Sequence, residues 1–118
     1  MDYKRSDRVG ELLLEIISQL LTREVHDPRV GPLNLTGVHL SGDLKHARIY
    51  FSLFGDTKKK AEVLSGLKSA TGFIRGKVGK ELKLRFVPTI EFVYDDTQDQ
   101  AQHIEDLLQQ VKKGPLTS

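Results

Sequence analysis

Ala70-Thr71-Gly72-Phe73-Ile74-Arg75-Gly76-Lys77-Val78-Gly79-Lys80 is the stretch on which the fold turns, because it offers a helix two places to break. Gly76 to Gly79 spells GxxG, a loop by which some RNA-binding domains clamp backbone nucleotides. Ala70 to Gly72 spells the shorter AxG. Only about eight residues separate Gly79 from Pro88, too few for a further helix and its connection to a strand. A break at Ala70, Thr71 and Gly72 leaves residues 73–84 for a helix of ordinary length. The AxG is therefore the expected kink, and the GxxG is expected to be helical.

That placement has a cost, since each glycine inside a helix loses about 1 kcal/mol relative to alanine. At about 100° per residue, Gly72, Gly76 and Gly79 share one narrow side of the helix, with Lys83 in the same row and Arg75 and Lys80 on its flanks. A side-chain-free stripe bordered by cations admits a sugar-phosphate backbone or another helix of the same protein. Both fit the spacing.

Working outward, Ala61, Leu64, Leu67 and Ala70 share a helical face that Ile74, Val78 and Leu82 extend. Upstream, Val9, Leu12, Leu13, Ile16, Ile17, Leu20 and Leu21 recur at helical spacing, giving an amphipathic helix over residues 6–25 that Asp27-Pro28 ends. Leu33, Leu35, Val38 and Leu40 alternate around Gly37, as in a strand with a bulge. Ser41-Gly42-Asp43-Leu44 reads as a turn, and Ala47, Ile49, Phe51 and Leu53 then complete a hairpin. Beyond Pro88, Ile90, Phe92 and Tyr94 alternate as a last strand. Thr97 and Gln100 suit a capping box for a final helix that carries Ala101, Ile104, Leu107, Leu108 and Val111 and stops before Gly114-Pro115.

The expected order is helix, strand, strand, helix, kink, helix, strand and a C-terminal helix. This is an α+β chain with a three-stranded sheet, strands near 33–41, 46–54 and 89–94, and helices on one face. A length of 118 residues with 38% hydrophobic content supports one core, so residues 1–118 are expected to be a single domain with 97–113 as an accessory helix.

Catalytic signatures are missing. The chain has no cysteine, which removes thiol nucleophiles, disulfides and cysteine zinc sites and suits an intracellular protein. With a turn centred on Gly42 and Asp43, His39 and His46 would face each other across the hairpin, but two imidazoles fall short of the three or four ligands a metal normally takes. Asp95-Asp96 could be paired acid and base carboxylates, yet between a strand and Thr97 a capping role is favoured. No enzyme activity, cofactor or metal is expected. The charged start and the interrupted apolar run after it suit neither a signal peptide nor a membrane span.

Charge is distributed unevenly. Residues 57–85 carry nine Lys/Arg against two Asp/Glu, whereas residues 1–56 are near neutral and 86–118 are acidic. A concentrated basic block is the electrostatic footprint of phosphate contact, and equally of a solvated helical face. The candidate RNA contacts are Arg75, Lys77, Lys80, Lys83 and Arg85, then the run Lys58, Lys59 and Lys60, then Arg8. Lysines at a helix start oppose its dipole by a few tenths of a kcal/mol each, so that run is a weaker signal.

Several stretches resemble the ribosome-binding factor A family. They are Glu24-Val25-His26-Asp27-Pro28-Arg29, Ser41-Gly42-Asp43-Leu44 with Ala47-Arg48-Ile49-Tyr50, Ala70-Thr71-Gly72-Phe73-Ile74-Arg75, Leu84-Arg85-Phe86-Val87-Pro88, and Phe92-Val93-Tyr94-Asp95-Asp96. The resemblance implies a type II KH-like fold in which the AxG at Ala70 to Gly72 replaces the usual GxxG. It also implies binding to small-subunit ribosomal RNA in immature small subunits, a role in late maturation and rRNA processing, and importance in the cold. A cytoplasmic monomer with no membrane contact is expected. Two other classes stay open: a protein-interaction module that docks through the final amphipathic helix, and a small enzyme whose site announces itself only in the fold.

Overall fold

A computed structural model describes residues 4–54 and 59–113. Its elements are α1 (Arg5–Arg23), β1 (Leu33–Leu40), β2 (His46–Leu53), α2 (Lys60–Leu82), β3 (Thr89–Tyr94) and α3 (Thr97–Lys113). Lys58 and Gly114-Pro115 lie outside the described residues.

The three strands form one sheet in the order β1-β2-β3. β1 and β2 are antiparallel, with the register shifting between Leu35 and Gly37 as the alternation around Gly37 predicts. β2 and β3 are parallel, which requires a crossover, and α2 supplies it. Ala47, Ile49 and Phe51 of β2 and Ile90 and Phe92 of β3 turn to one face. There they meet Leu13, Ile17 and Leu20 of α1 and Val63, Leu67, Ile74 and Val78 of α2 in a single core. Both helices lie on that face, as expected.

Close helix approach sets where glycine matters. A Cβ on Gly10 would stand 3.5 Å from Val38 and 3.6 Å from Leu40, an ordinary contact that β1 can accommodate. At Gly66 a Cβ would come within 2.9 Å of Val30. Val30 is held there by the Asp27-Pro28-Arg29 corner. Its N–H donates to the Asp27 carbonyl at 3.0 Å, and the Asp27 carboxylate accepts the Arg29 N–H at 2.9 Å and its Nη2 at 2.6 Å. The guanidinium also donates to Ser65 Oγ at 3.1 Å and Ser69 Oγ at 3.2 Å, fastening the corner to α2. This charge-assisted bonding holds the Asp27 carboxyl down to about 2.

Three expectations need correction. Residues 60–82 form one α-helix that is not interrupted at Ala70, Thr71 and Gly72, so the described residues form three helices and not four. The buried row Leu67, Ile74 and Val78 runs straight through the AxG, and Thr71 Oγ1 donates to the Leu67 carbonyl at 3.0 Å without displacing the helical ladder. The GxxG lies inside this helix, as expected.

The hairpin turn is longer than Gly42-Asp43 alone: Ser41 N donates to the His46 carbonyl and Leu44 takes a positive φ of 63°. His39 therefore faces Arg48, while His46 hydrogen-bonds Thr89 Oγ1 at 2.8 Å through Nδ1. Finally, the Thr97/Gln100 capping box is replaced by a cap from Asp95. Asp95 accepts the Thr97 N–H at 2.9 Å and the Thr36 hydroxyl at 2.7 Å, and Asp96 accepts from Gln100 Nε2.

Candidate nucleic-acid interface

The last two turns of α2 and the loop into β3 gather four of the nine predicted cations, Lys77, Lys80, Lys83 and Arg85. Lys80, Lys83 and Arg85 are exposed. Lys83 closes the helix in a left-handed conformation (φ 50°), its N–H donating to the Gly79 carbonyl at 3.1 Å. Arg85 lays its guanidinium over the exposed Phe86 ring, 5.5 Å from the centroid. Lys77 joins them half-buried, with Nζ 3.5 Å from Glu24 and 5.6 Å from the Phe73 centroid. Part of its charge is thus answered within the protein.

Arg75 was expected to be an exposed phosphate ligand. It instead sits half-buried, Nε donating to the Pro88 carbonyl and Nη2 to the Val87 carbonyl, each at 3.0 Å. It is the bolt that fixes the α2–β3 loop to the helix. The partners lie 12 and 13 residues away, so no local pattern announces them.

The glycine stripe divides. A Cβ at Gly79 would be 2.8 Å from Val87 Cγ2, so this glycine serves close packing of the bolted loop, whereas Cβ positions at Gly72 and Gly76 meet nothing within 4 Å. Gly72 and Gly76 are open surface.

Lys59 and Lys60 stand at the other end of α2, which at 1.5 Å per residue puts Lys60 roughly 30 Å from Lys80. Lys60 covers the Tyr94 ring at 4.6 Å and Lys59 is exposed. Arg8 is exposed on α1, two residues before the glycine that packs on β1. These residues do not join the cluster at the far end of α2.

Among the described residues no group of three or more His, Asp or Glu is placed to hold a metal, and no helix is long and apolar enough to cross a membrane. A cleft of about 530 Å³ between α1 and the start of β1 is lined by Leu21, Val25, Val30 and Leu33 with Ser18 and His26, apart from the cation cluster.

A three-stranded mixed sheet with helices packed on one face and a helical crossover between parallel strands is a KH-like α+β arrangement, and solved structures share it. A crystal structure of ribosome-binding factor A from Thermus thermophilus matches with a TM-score of 0.56 at 24% identity, over 75% of this chain and 90% of that one. A homology model of Thermus thermophilus ribosome-binding factor A, fitted into a cryo-EM map of a 30S complex with that factor, matches with a TM-score of 0.55 at 23% identity, over 77% and 91%. In sequence, ribosome-binding factor A of Citrifermentans bemidjiense is 46% identical over 108 residues, 92% of this chain and 91% of the relative. The family model for ribosome-binding factor A matches residues 5–108. The chain belongs to the ribosome-binding factor A family.

Proposed function

We propose that this protein is a non-enzymatic assembly factor that binds the ribosomal RNA of immature small subunits and assists late maturation, including rRNA processing, with particular importance in the cold. The whole chain acts as one RNA-binding domain in the cytoplasm, as a monomer, with residues 97–113 as an accessory helix. The observation that carries the reading is the cluster of Lys77, Lys80, Lys83 and Arg85 on the end of α2 and the loop that Arg75 fixes. Family membership and the small-subunit complex of the Thermus thermophilus relative support the choice of RNA. Sedimentation of an extract containing the tagged protein tests it. The protein should travel with free small subunits and leave them as salt is raised. A protein that stays at the top of the gradient at low salt refutes it.

One observation favours a second reading. Ile104, Leu107, Leu108 and Val111 line α3 at 47–64% exposure, an apolar row suited to docking on another protein. Replacing Leu107 and Leu108 by serine would then abolish subunit association while leaving affinity for isolated ribosomal RNA unchanged.

A further inference from the structure

Two phenylalanines beside the cation cluster stay out of the core. Phe86 keeps 64% and Phe73 45% of its surface exposed. Single exposed apolar residues are ordinary, but each of these rings carries a cation on one side, Arg85 on Phe86 at 5.5 Å and Lys77 on Phe73 at 5.6 Å. Their exposure does not come from a loose backbone. Phe86 precedes Val87 and Pro88, whose carbonyls Arg75 holds, and Pro88 is fully buried. Phe73 stands in the middle of α2, one turn before Lys77. Rigid scaffolding holds both rings toward solvent, each beside a cation of the second half of α2 or of the loop that follows it.

A ring with an adjacent cation matches one ligand chemistry closely. An unpaired base offers a π face to the ring and its phosphate offers a charge to the cation. Duplex RNA does not, because its bases are already stacked and its readable surface is ribose and phosphate. We propose that Phe86 and Phe73 are stacking platforms for unpaired bases, so that the RNA taken up at this surface is single-stranded, with Arg85 and Lys77 receiving the phosphates of the stacked nucleotides. The proposal rests on the RNA-binding reading above and narrows it to unpaired segments.

Anisotropy titrations of the full chain test it with two probes of similar charge, an unstructured RNA of about a dozen nucleotides and a hairpin duplex. The single strand should bind more tightly. Phe86→Leu and Phe73→Leu should each weaken single-strand binding by about tenfold, with duplex binding and the salt slope unchanged because no charge is removed. Phe86→Tyr should bind as the parent does. Thermal melts should be unaltered, as both side chains are exposed. The proposal is overturned if the leucine variants bind both probes like the parent, or if Phe86→Tyr loses as much as Phe86→Leu. It is also overturned if the leucine variants lose only co-sedimentation with small subunits, which would assign the rings to a protein partner. If the stacking idea alone is wrong, Lys80→Gln with Arg85→Gln still weakens both probes. A parent protein that binds neither probe nor small-subunit RNA refutes the RNA-binding reading itself.

Discussion

Arg75 and Arg85 stand ten positions apart in the basic segment and do opposite work. Arg75 spends its guanidinium on two backbone carbonyls, while Arg85 faces solvent over Phe86. Hydrogen bonds from a charged group to buried partners contribute about 1.5–3 kcal/mol. Arg75→Gln should therefore destabilise the fold by about that much in denaturant titration. Arg85→Gln should leave stability within about 0.5 kcal/mol and lower the slope of log RNA affinity against log salt by slightly under one unit. Equal stability losses in the two variants would contradict this division. Asp27 gives the residue scale its pH dependence. Its folded value, about 2, lies below the ordinary 3.8 because Arg29 binds the charged form. Stability from the corner is thus complete above about pH 4 and is lost as pH falls toward 2. Asp43 and Asp95, lowered by Ser41 and Thr97 in turn, act in the same direction. Asp27→Asn should flatten the acid limb of a plot of melting temperature against pH; an unchanged limb would remove the corner from the account.

At the scale of elements, alternation and helical spacing mark burial directly, so β1, β2 and β3 fall within a residue of where the sequence puts them. The hairpin shows what such patterns leave out. Lengthening its turn moves the register by two residues, which preserves the faces because side chains alternate with period two. The core reading therefore survives while the pairing of His39 with His46 does not. Nothing in a leucine announces the positive φ that Leu44 adopts. The expected division into two helices failed for a related reason: ordinary helix length favoured a break, but a continuous buried row sustains all 23 residues of α2. Its glycines differ in what surrounds them, and substitution should expose this. Gly76→Ala meets open space and should stabilise by up to about 1 kcal/mol. Gly79→Ala gains the same propensity but drives its methyl onto Val87 in a loop that Arg75 holds, and should be neutral or destabilising. Parallel thermal melts decide, and equal gains would mean that the loop yields freely.

The charge asymmetry legible in the sequence becomes, in the whole molecule, two separate basic ends of one helix, because a single 23-residue α2 keeps Lys59 and Lys60 roughly 30 Å from Lys80. A kinked pair of helices could have folded those lysines toward one another. An RNA that touches only the Lys80, Lys83 and Arg85 end is a local ligand, whereas one that spans both ends must follow the length of the domain. Counterion release separates these cases, since each phosphate neutralised adds slightly under one unit to the salt slope. Lys80→Gln, Lys83→Gln and Arg85→Gln combined should lower the slope by about two to three units and remove the protein from small subunits at moderate salt. Lys59→Gln with Lys60→Gln should change it by less than about one unit, since the Lys60 ammonium is engaged with Tyr94. Should the second pair carry the larger slope, the RNA surface lies at the start of α2, with Lys4, Arg5 and Arg8 of the α1 end as the next positions to replace.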